Sequence, residues 1–273
     1  MLLAGCGAPS SPPGDSTARP DDNALAHVHG LGVNPADGDL YAASHFGVFR
    51  IEDDGETRRI ADRWQDTMAF TVTGPDTFLA SGHPDLREDL PRHLGLIEST
   101  DAAATWSSVS LAGEADFHAL EVADRSTYGF DSLTGRLVVS QDRQTWTTIG
   151  EAPVIDLAWL GRDADQILAS TARGLAEYRT DGTTTKLPNA PPVLLIDSPE
   201  KGTLVGVTAS GEIYSTRDPS SDAWRRHGST PGHPQALEAT SDVWYVATDR
   251  GVFSSDDVGE TWRLLVPTAA DGH

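Results

Sequence analysis

The fold turns on the segment "GDLYAASHFGVFRI", Gly38 to Ile51. It holds two short runs of β-branched, aromatic and small apolar residues, "LYAAS" and "GVFRI", with a turn between them, which is the pattern of a β-hairpin. Its likeness returns five times. The later copies are "DTFLASG" with "LGLIES" (Asp76 to Ser99), "STYGFDSLTGRLVVS" (Ser126 to Ser140), "DQILASTARGLAEYR" (Asp165 to Arg179), "GTLVGVTASGEIYST" (Gly202 to Thr216) and "DVWYVATDRGVFSS" (Asp242 to Ser255). The glycine that opens the second run falls at positions 47, 95, 135, 174, 211 and 251, spacings of 48, 40, 39, 37 and 40 residues. Helical periodicity is scarce.

A period of about 40 residues with four short strands per unit is the mark of a propeller blade. In the first unit strand A reads "HGLGV", B "LYAAS" and C "GVFRI", and D is the short run before the next A. Six such units fill residues 26–267. The expected fold is all-β, a six-bladed β-propeller. A solenoid would need capping repeats, which the sequence lacks, and radial closure hides sheet edges that would otherwise pair with other chains.

The chain has 273 residues, with 41 acidic against 20 basic side chains and a net charge of −21. That charge argues against nucleic acid as a partner and against polybasic docking on anionic lipid, and favours the approach of cations. A single cysteine, Cys6, excludes an internal disulfide. Residues 7–25, rich in Pro, Ser, Gly and Asp, cannot bury a core and read as a disordered tether. Residues 268–273 read as a tail. No segment is long and apolar enough to span a bilayer as a helix.

Three turns share a further pattern. "SDDVGETW" (Ser255 to Trp262) fits S-x-D-x-G-x-T-W at every position, "STDAAATW" (Ser99 to Trp106) has Ala103 in place of the glycine, and "SQDRQTW" (Ser140 to Trp146) is one residue short. "STRDPSSDAW" in the fifth unit is a decayed copy. Such an Asp accepts backbone N–H bonds across the C–D hairpin, and the Trp packs its ring between blades. These turns are Asp boxes, and the chain resembles the BNR-repeat superfamily that carries them. That superfamily includes sialidases, other glycoside hydrolases, sortilin-type receptors and photosystem II assembly factors. Within it, "HVHGLGVNP", "ASHFGVFRI", "HLGLIESTD" and "EADFHALEV" resemble bacterial lipoproteins labelled glycosylhydrolase or exo-sialidase-like. The stretch "LLAGC" (Leu2 to Cys6) resembles their lipobox, with residues 1–6 as the remnant of a signal too short to be whole. The resemblance implies lipidation of Cys6 and an extracytoplasmic protein anchored to the cell membrane.

Six of the nine histidines fall in the first three units: His27, His29, His45, His83, His93 and His118. Aligned A strands read "HGLGV" (29–33), "MAFTV" (68–72) and "HALEV" (118–122), which puts His29, Met68 and His118 at one rank in three consecutive blades. Imidazoles with a thioether suit copper or zinc. His29, Met68 and His118 are therefore the expected metal ligands at the mouth of the central channel, with His27 as a fourth. The competing reading has these side chains bonding channel water and filling a gap. A long B–C loop, "GHPDLREDLPRHLG" (Gly82 to Gly95), falls beside them. His45, His83, Asp85 and His93 are candidate contacts to a bound small ligand.

A glycoside hydrolase of sialidase-like type is the alternative. The first blade lacks the R-I-P arginine motif, keeping only Arg50 and Ile51 in "FRIED", and no Tyr–Glu pair can be assigned. Two carboxyls would suffice for a general glycosidase. Asp85, Glu88, Asp116, Asp131, Asp156 or Asp249 could supply them, with Asp85 and Asp131 as the candidate catalytic residues among many acids. A non-catalytic scaffold that binds a protein partner is the third reading.

Overall fold

The computed structural model describes residues 25–52 and 54–267. Cys6 and the segments assigned as signal, tether (Leu25 apart) and tail lie outside the described residues. Within them the molecule is a six-bladed β-propeller. Blade one is β1 (Val28–Val33), β2 (Leu40–Ser44), β3 (Gly47–Ile51) and β4 (Thr57–Arg59). Blade two is β5 (Asp66–Gly74), β6 (Thr77–His83), β7 (Leu96–Ser99) and β8 (Ser107–Ser110). Blade three is β9 (Phe117–Ala123), β10 (Ser126–Asp131), β11 (Arg136–Ser140) and β12 (Thr147–Glu151). Blade four is β13 (Val154–Ala158), β14 (Gln166–Thr171), β15 (Gly174–Arg179) and β16 (Thr184–Lys186). Blade five is β17 (Val193–Glu200), β18 (Thr203–Thr208), β19 (Glu212–Thr216) and β20 (Arg225–Ser229). Blade six is β21 (Pro234–Ala239), β22 (Trp244–Thr248), β23 (Gly251–Ser255) and β24 (Arg263–Val266).

Each blade is an antiparallel meander of four consecutive strands. The innermost strands β1, β5, β9, β13, β17 and β21 pack in a ring, each against the next, and β21 returns to β1. No strand is exchanged between the first and last blades. The ring closes by packing: Leu25, Val28 and Leu31 meet Ala236, Ala247, Val252 and Val266. Burial falls outward, from β2, wholly buried between its neighbours, to β16, wholly exposed. The blades pack closely enough that a Cβ on Gly32 would come within 2.5 Å of Val72 Cγ2 and one on Gly30 within 3.0 Å of Phe70 Cβ, so the two glycines in "HGLGV" let blade two approach.

The repeat glycines Gly47, Gly95, Gly135, Gly174, Gly211 and Gly251 all take positive φ, from 62° to 148°. The three Trp-bearing turns share a hydrogen-bond pattern. Asp257 Oδ1 accepts from Ser255 Oγ at 2.8 Å and from the Thr261 N–H at 2.9 Å, and its Oδ2 accepts from Thr261 Oγ1 at 2.6 Å. Ser255 Oγ in turn accepts from the Gly259 N–H at 2.9 Å. Ser99, Asp101 and Thr105 repeat these bonds, and Asp142 repeats the bonds from Ser140 and the Thr145 N–H. Trp146 packs beside Phe117, with ring centroids 5.0 Å apart.

Candidate metal centre on the upper face

All six A strands share one irregularity, and it positions the site. In each, the pairing to strand B skips a single residue near the start. The skip falls between Val28 and Gly30, Thr67 and Ala69, Phe117 and Ala119, Val154 and Asp156, Val193 and Leu195, and Pro234 and Ala236. The skipped residues are His29, Met68, His118, Ile155, Leu194 and Gln235. A bulge re-aims the side chain it carries. His29, Met68, His118, Ile155 and Gln235 all line the central channel, which encloses about 320 Å³.

Two residues before three of these bulges stand His27, Asp66 and Asp116, and at or just past the ends of the partner B strands stand His45, His83 and Ser132. These two ranks meet on the upper face of blades one to three. Asp66 is the hub. Its Oδ1 lies 2.9 Å from His45 Nδ1 and 3.8 Å from His29 Nε2, and those two ring nitrogens are 3.2 Å apart. Its Oδ2 lies 3.2 Å from His83 Nδ1. The other nitrogen of His83, Nε2, is 3.5 Å from Asp116 Oδ2, which also has His118 Nε2 at 3.1 Å and His93 Nδ1 at 3.6 Å. Six histidines and two aspartates thus form one arc, with His27 at its end, its ring 4.8 Å from that of His29 and 5.7 Å from that of His45.

Gly82 makes the Asp66 position possible. Its φ is +145°, and a Cβ there would fall 2.0 Å from the Asp66 carbonyl oxygen and 2.9 Å from the Met68 nitrogen. Only glycine lets strand β6 lie so close to the start of β5.

Two groups of three donors emerge from the arc, His29, His45 and Asp66, and His83, His93 and Asp116. Bonds of about 2.05 Å to zinc in a tetrahedron place neighbouring donors about 3.3 Å apart. The first group's separations of 2.9, 3.2 and 3.8 Å straddle that edge. Asp116, only 5% exposed, has an Oδ1 with no hydrogen-bond partner, and the buried His93 Nδ1 beside it has none either. Buried polar atoms are seldom left so, and an ion would satisfy both. Burial, then the neighbouring His45 and His27, push the His29 imidazole down to about 3, so it is a neutral donor at physiological pH. Burial alone would raise the Asp116 carboxyl. The hydrogen bond and charge of His118, with Ser132 and His83, more than offset it and hold that carboxyl below its ordinary value, ionised as a ligand must be.

The structure therefore gathers His27, His29, His45, His83, His93 and His118 on one face. Met68 lies with His29 and His118 along the channel wall. The two aspartates in these groups were not among the ligands expected from sequence. Their signal is present nonetheless: extending the aligned A strands two residues toward the N-terminus sets His27, Asp66 and Asp116 at one rank.

Asp85 and Asp131 occupy different surroundings. Asp85 is buried and accepts the Trp64 N–H at 2.9 Å and the Arg87 N–H at 3.0 Å, besides a paired contact with the Arg87 guanidinium. That guanidinium holds its carboxyl well below the usual range. Asp131 accepts from the Asp116 N–H at 3.0 Å and from Thr134 Oγ1 at 2.6 Å, closing the turn after β10. Both carboxylates are engaged in holding loops.

The channel also holds four acidic side chains. Glu121, Asp156, Asp197 and Glu238 line it. Three of them reach across to the next blade, where they accept the N–H of Ile196 (2.9 Å), Ala239 (2.6 Å) and Val33 (3.3 Å). Burial pushes Asp156 up to about 7 and Asp197 up to about 6, and raises Glu121 and Glu238 well above the ordinary range.

Fold and site together define a β-propeller with a histidine–carboxylate face. No protein-family model and no curated protein matches the chain. Among solved structures it is similar to an ancestral GH74 enzyme, at 15% identity and a TM-score of 0.56, over 92% of this chain but 40% of that one. It is also similar to a gluconolactonase from Xanthomonas campestris, at 15% identity and TM-score 0.64 over 83% and 84% of the two chains. A chain of the nidogen/laminin complex matches at 11% identity and TM-score 0.64, over 82% and 91%. At these identities the likeness is one of fold.

Proposed function

We propose that the protein binds transition metal ions, zinc or copper, on the upper face of blades one to three. The observation that carries this reading is the convergence of His29 Nε2, His45 Nδ1 and Asp66 Oδ1 at the spacing of a tetrahedral edge. Three protein donors leave a coordination position open, as in sites that exchange or activate a ligand. His83, His93 and Asp116 form a second seat beside the first. One tautomer of His83 serves both: Nδ1–H donates to Asp66, which steadies the first seat, and the Nε2 lone pair faces the second. An imidazole–carboxylate donor set suits Zn(II) and Cu(II). With Cys6 lipidated, the propeller would display these seats at the membrane surface outside the cytoplasm, in a role of delivery, scavenging or sensing.

The glycoside-hydrolase reading has the fold of the GH74 enzyme in its support. Against it stand Asp85 and Asp131, whose oxygens are taken up by backbone and side-chain donors. A scaffold for a protein partner has the nidogen/laminin likeness and no particular surface in its support.

The deciding measurement is calorimetric titration of untagged protein with Zn(II), Cu(II) and Cu(I). Saturable binding that is lost in the double variant His29→Ala/Asp66→Ala is the expected result. Equal, weak binding by wild type and variant would refute the proposal.

A further inference from the structure

Beside the first seat lies a cleft of about 530 Å³, walled by Phe46, Trp64, Pro84 and Leu86 and lined also by His45, Asp66, His83, Asp85 and Arg87. That volume falls within the range of small-molecule sites. His45 and Asp66 belong both to the metal seat and to this cleft, so the open coordination position and the cleft share a floor. The walls are aromatic and aliphatic. Phe46 and Trp64 stand 5.8 Å apart at 59°, and the Arg59 guanidinium lies 3.5 Å from the centre of the Trp64 ring and holds it in place. Leu86 is 100% exposed on the rim.

Asp85 and Arg87 are largely engaged with each other and with neighbouring groups. Arg87 is engaged by Asp85 and by Asp62 at 2.9 Å, and Asp85 by Arg87 and the Trp64 N–H. The aromatic and aliphatic walls suit a flat apolar ring better than a sugar, whose many hydroxyl groups each need a partner.

Resting on the metal reading above, we infer that the cleft binds a small aromatic molecule bearing an oxygen chelating group. The oxygens complete the coordination of the ion held by His29, His45 and Asp66, and the ring lies between Phe46, Trp64 and Leu86.

Two hydroxamates with the same chelating group test this. Acetohydroxamate carries a methyl group and benzohydroxamate a phenyl ring, and each is titrated into zinc-loaded protein with Trp fluorescence as a second readout. Benzohydroxamate should bind at least about tenfold more tightly, the gain expected from burying a ring. Leu86→Ala should cut that advantage several-fold while zinc affinity is unchanged, and Phe46→Ala should do the same. Because Leu86 is fully exposed, its variant tests the cleft without risk to the core. Equal affinities for the two hydroxamates, or an advantage that survives both substitutions or persists without zinc, would overturn the inference and leave the metal reading standing. Failure of zinc itself to bind would overturn both, and the first titration shows it.

Discussion

Asp66 offers one oxygen to each neighbour, and His83 one nitrogen to each of two aspartates, so the two seats are wired through a single imidazole. The two halves of that ring can be removed separately. In His83→Asn the side-chain amide keeps a donor close to the position of Nδ1–H but has nothing at the position of Nε2. Zinc stoichiometry should fall from two to one, with first-seat affinity kept within a few-fold. His83→Ala should also lose the support of Asp66 and weaken the first seat roughly 10- to 100-fold, as loss of such outer partners does. Titration with metal analysis of the dialysed protein checks both, and a stoichiometry of two in His83→Asn would show that Nε2 holds no ion. At this scale the sequence is uneven. The histidines stand out because there are only nine, and six crowd into three blades. The aspartates do not, since any one of 41 acidic residues carries almost no information singly. What marks Asp66 and Asp116 is rank within a repeat, and that requires the strand starts to be aligned beyond their apolar portion.

Strands and turns were the most legible level. Glycine at positive φ at or just before the start of each C strand, and short apolar runs on either side of it, recur at a period that only a repeated structural unit produces. The A-strand bulge was not legible, because it depends on hydrogen-bond register rather than residue type, and yet it aims His29 and His118 at the channel. The Trp-bearing turns act at this level too. Ser255, 2% exposed, donates to Asp257 and accepts the Gly259 N–H, so Ser255→Ala leaves a buried donor unpaired. The expected loss is about 1–3 kcal/mol of unfolding free energy. Denaturant titration reads it, and zinc affinity should not change, since the turn lies in blade six and the seats in blades one to three. A loss of zinc binding in this variant would mean that the blades do not act as separable supports.

At the level of the whole ring, the channel joins two opposed electrostatic designs. Lining the same channel, Glu121, Asp156, Asp197 and Glu238 hold carboxyls that burial raises well above their ordinary range, and three of them link one blade to the next. The linkage has a definite sign. In the unfolded chain these groups ionise at about pH 4, whereas in the folded ring they retain protons to higher pH. Their stabilising contribution is whole below the unfolded value and is lost as pH rises through the folded one, by up to about 1.4 kcal/mol per pH unit for each proton retained. His29 works the other way. Its folded value of about 3 lies below the unfolded one, so it costs stability only as pH falls below about 6.5. The window from pH 6.5 to 8.5 therefore lies above the titration of His29 and Asp197 and leaves the decline to Asp156, Glu121 and Glu238. Unfolding free energy of the metal-free protein should decline across it. Glu238→Gln mimics the protonated side chain, can still accept from Val33 N–H, and removes one titrating group, so its decline should be shallower and its advantage over wild type greatest at pH 8.5. Parallel slopes for the two proteins in denaturant titrations at pH 6.5, 7.5 and 8.5 would show that Glu238 enters the folded ring already ionised, and that the inter-blade bond to Val33 is made by a carboxylate.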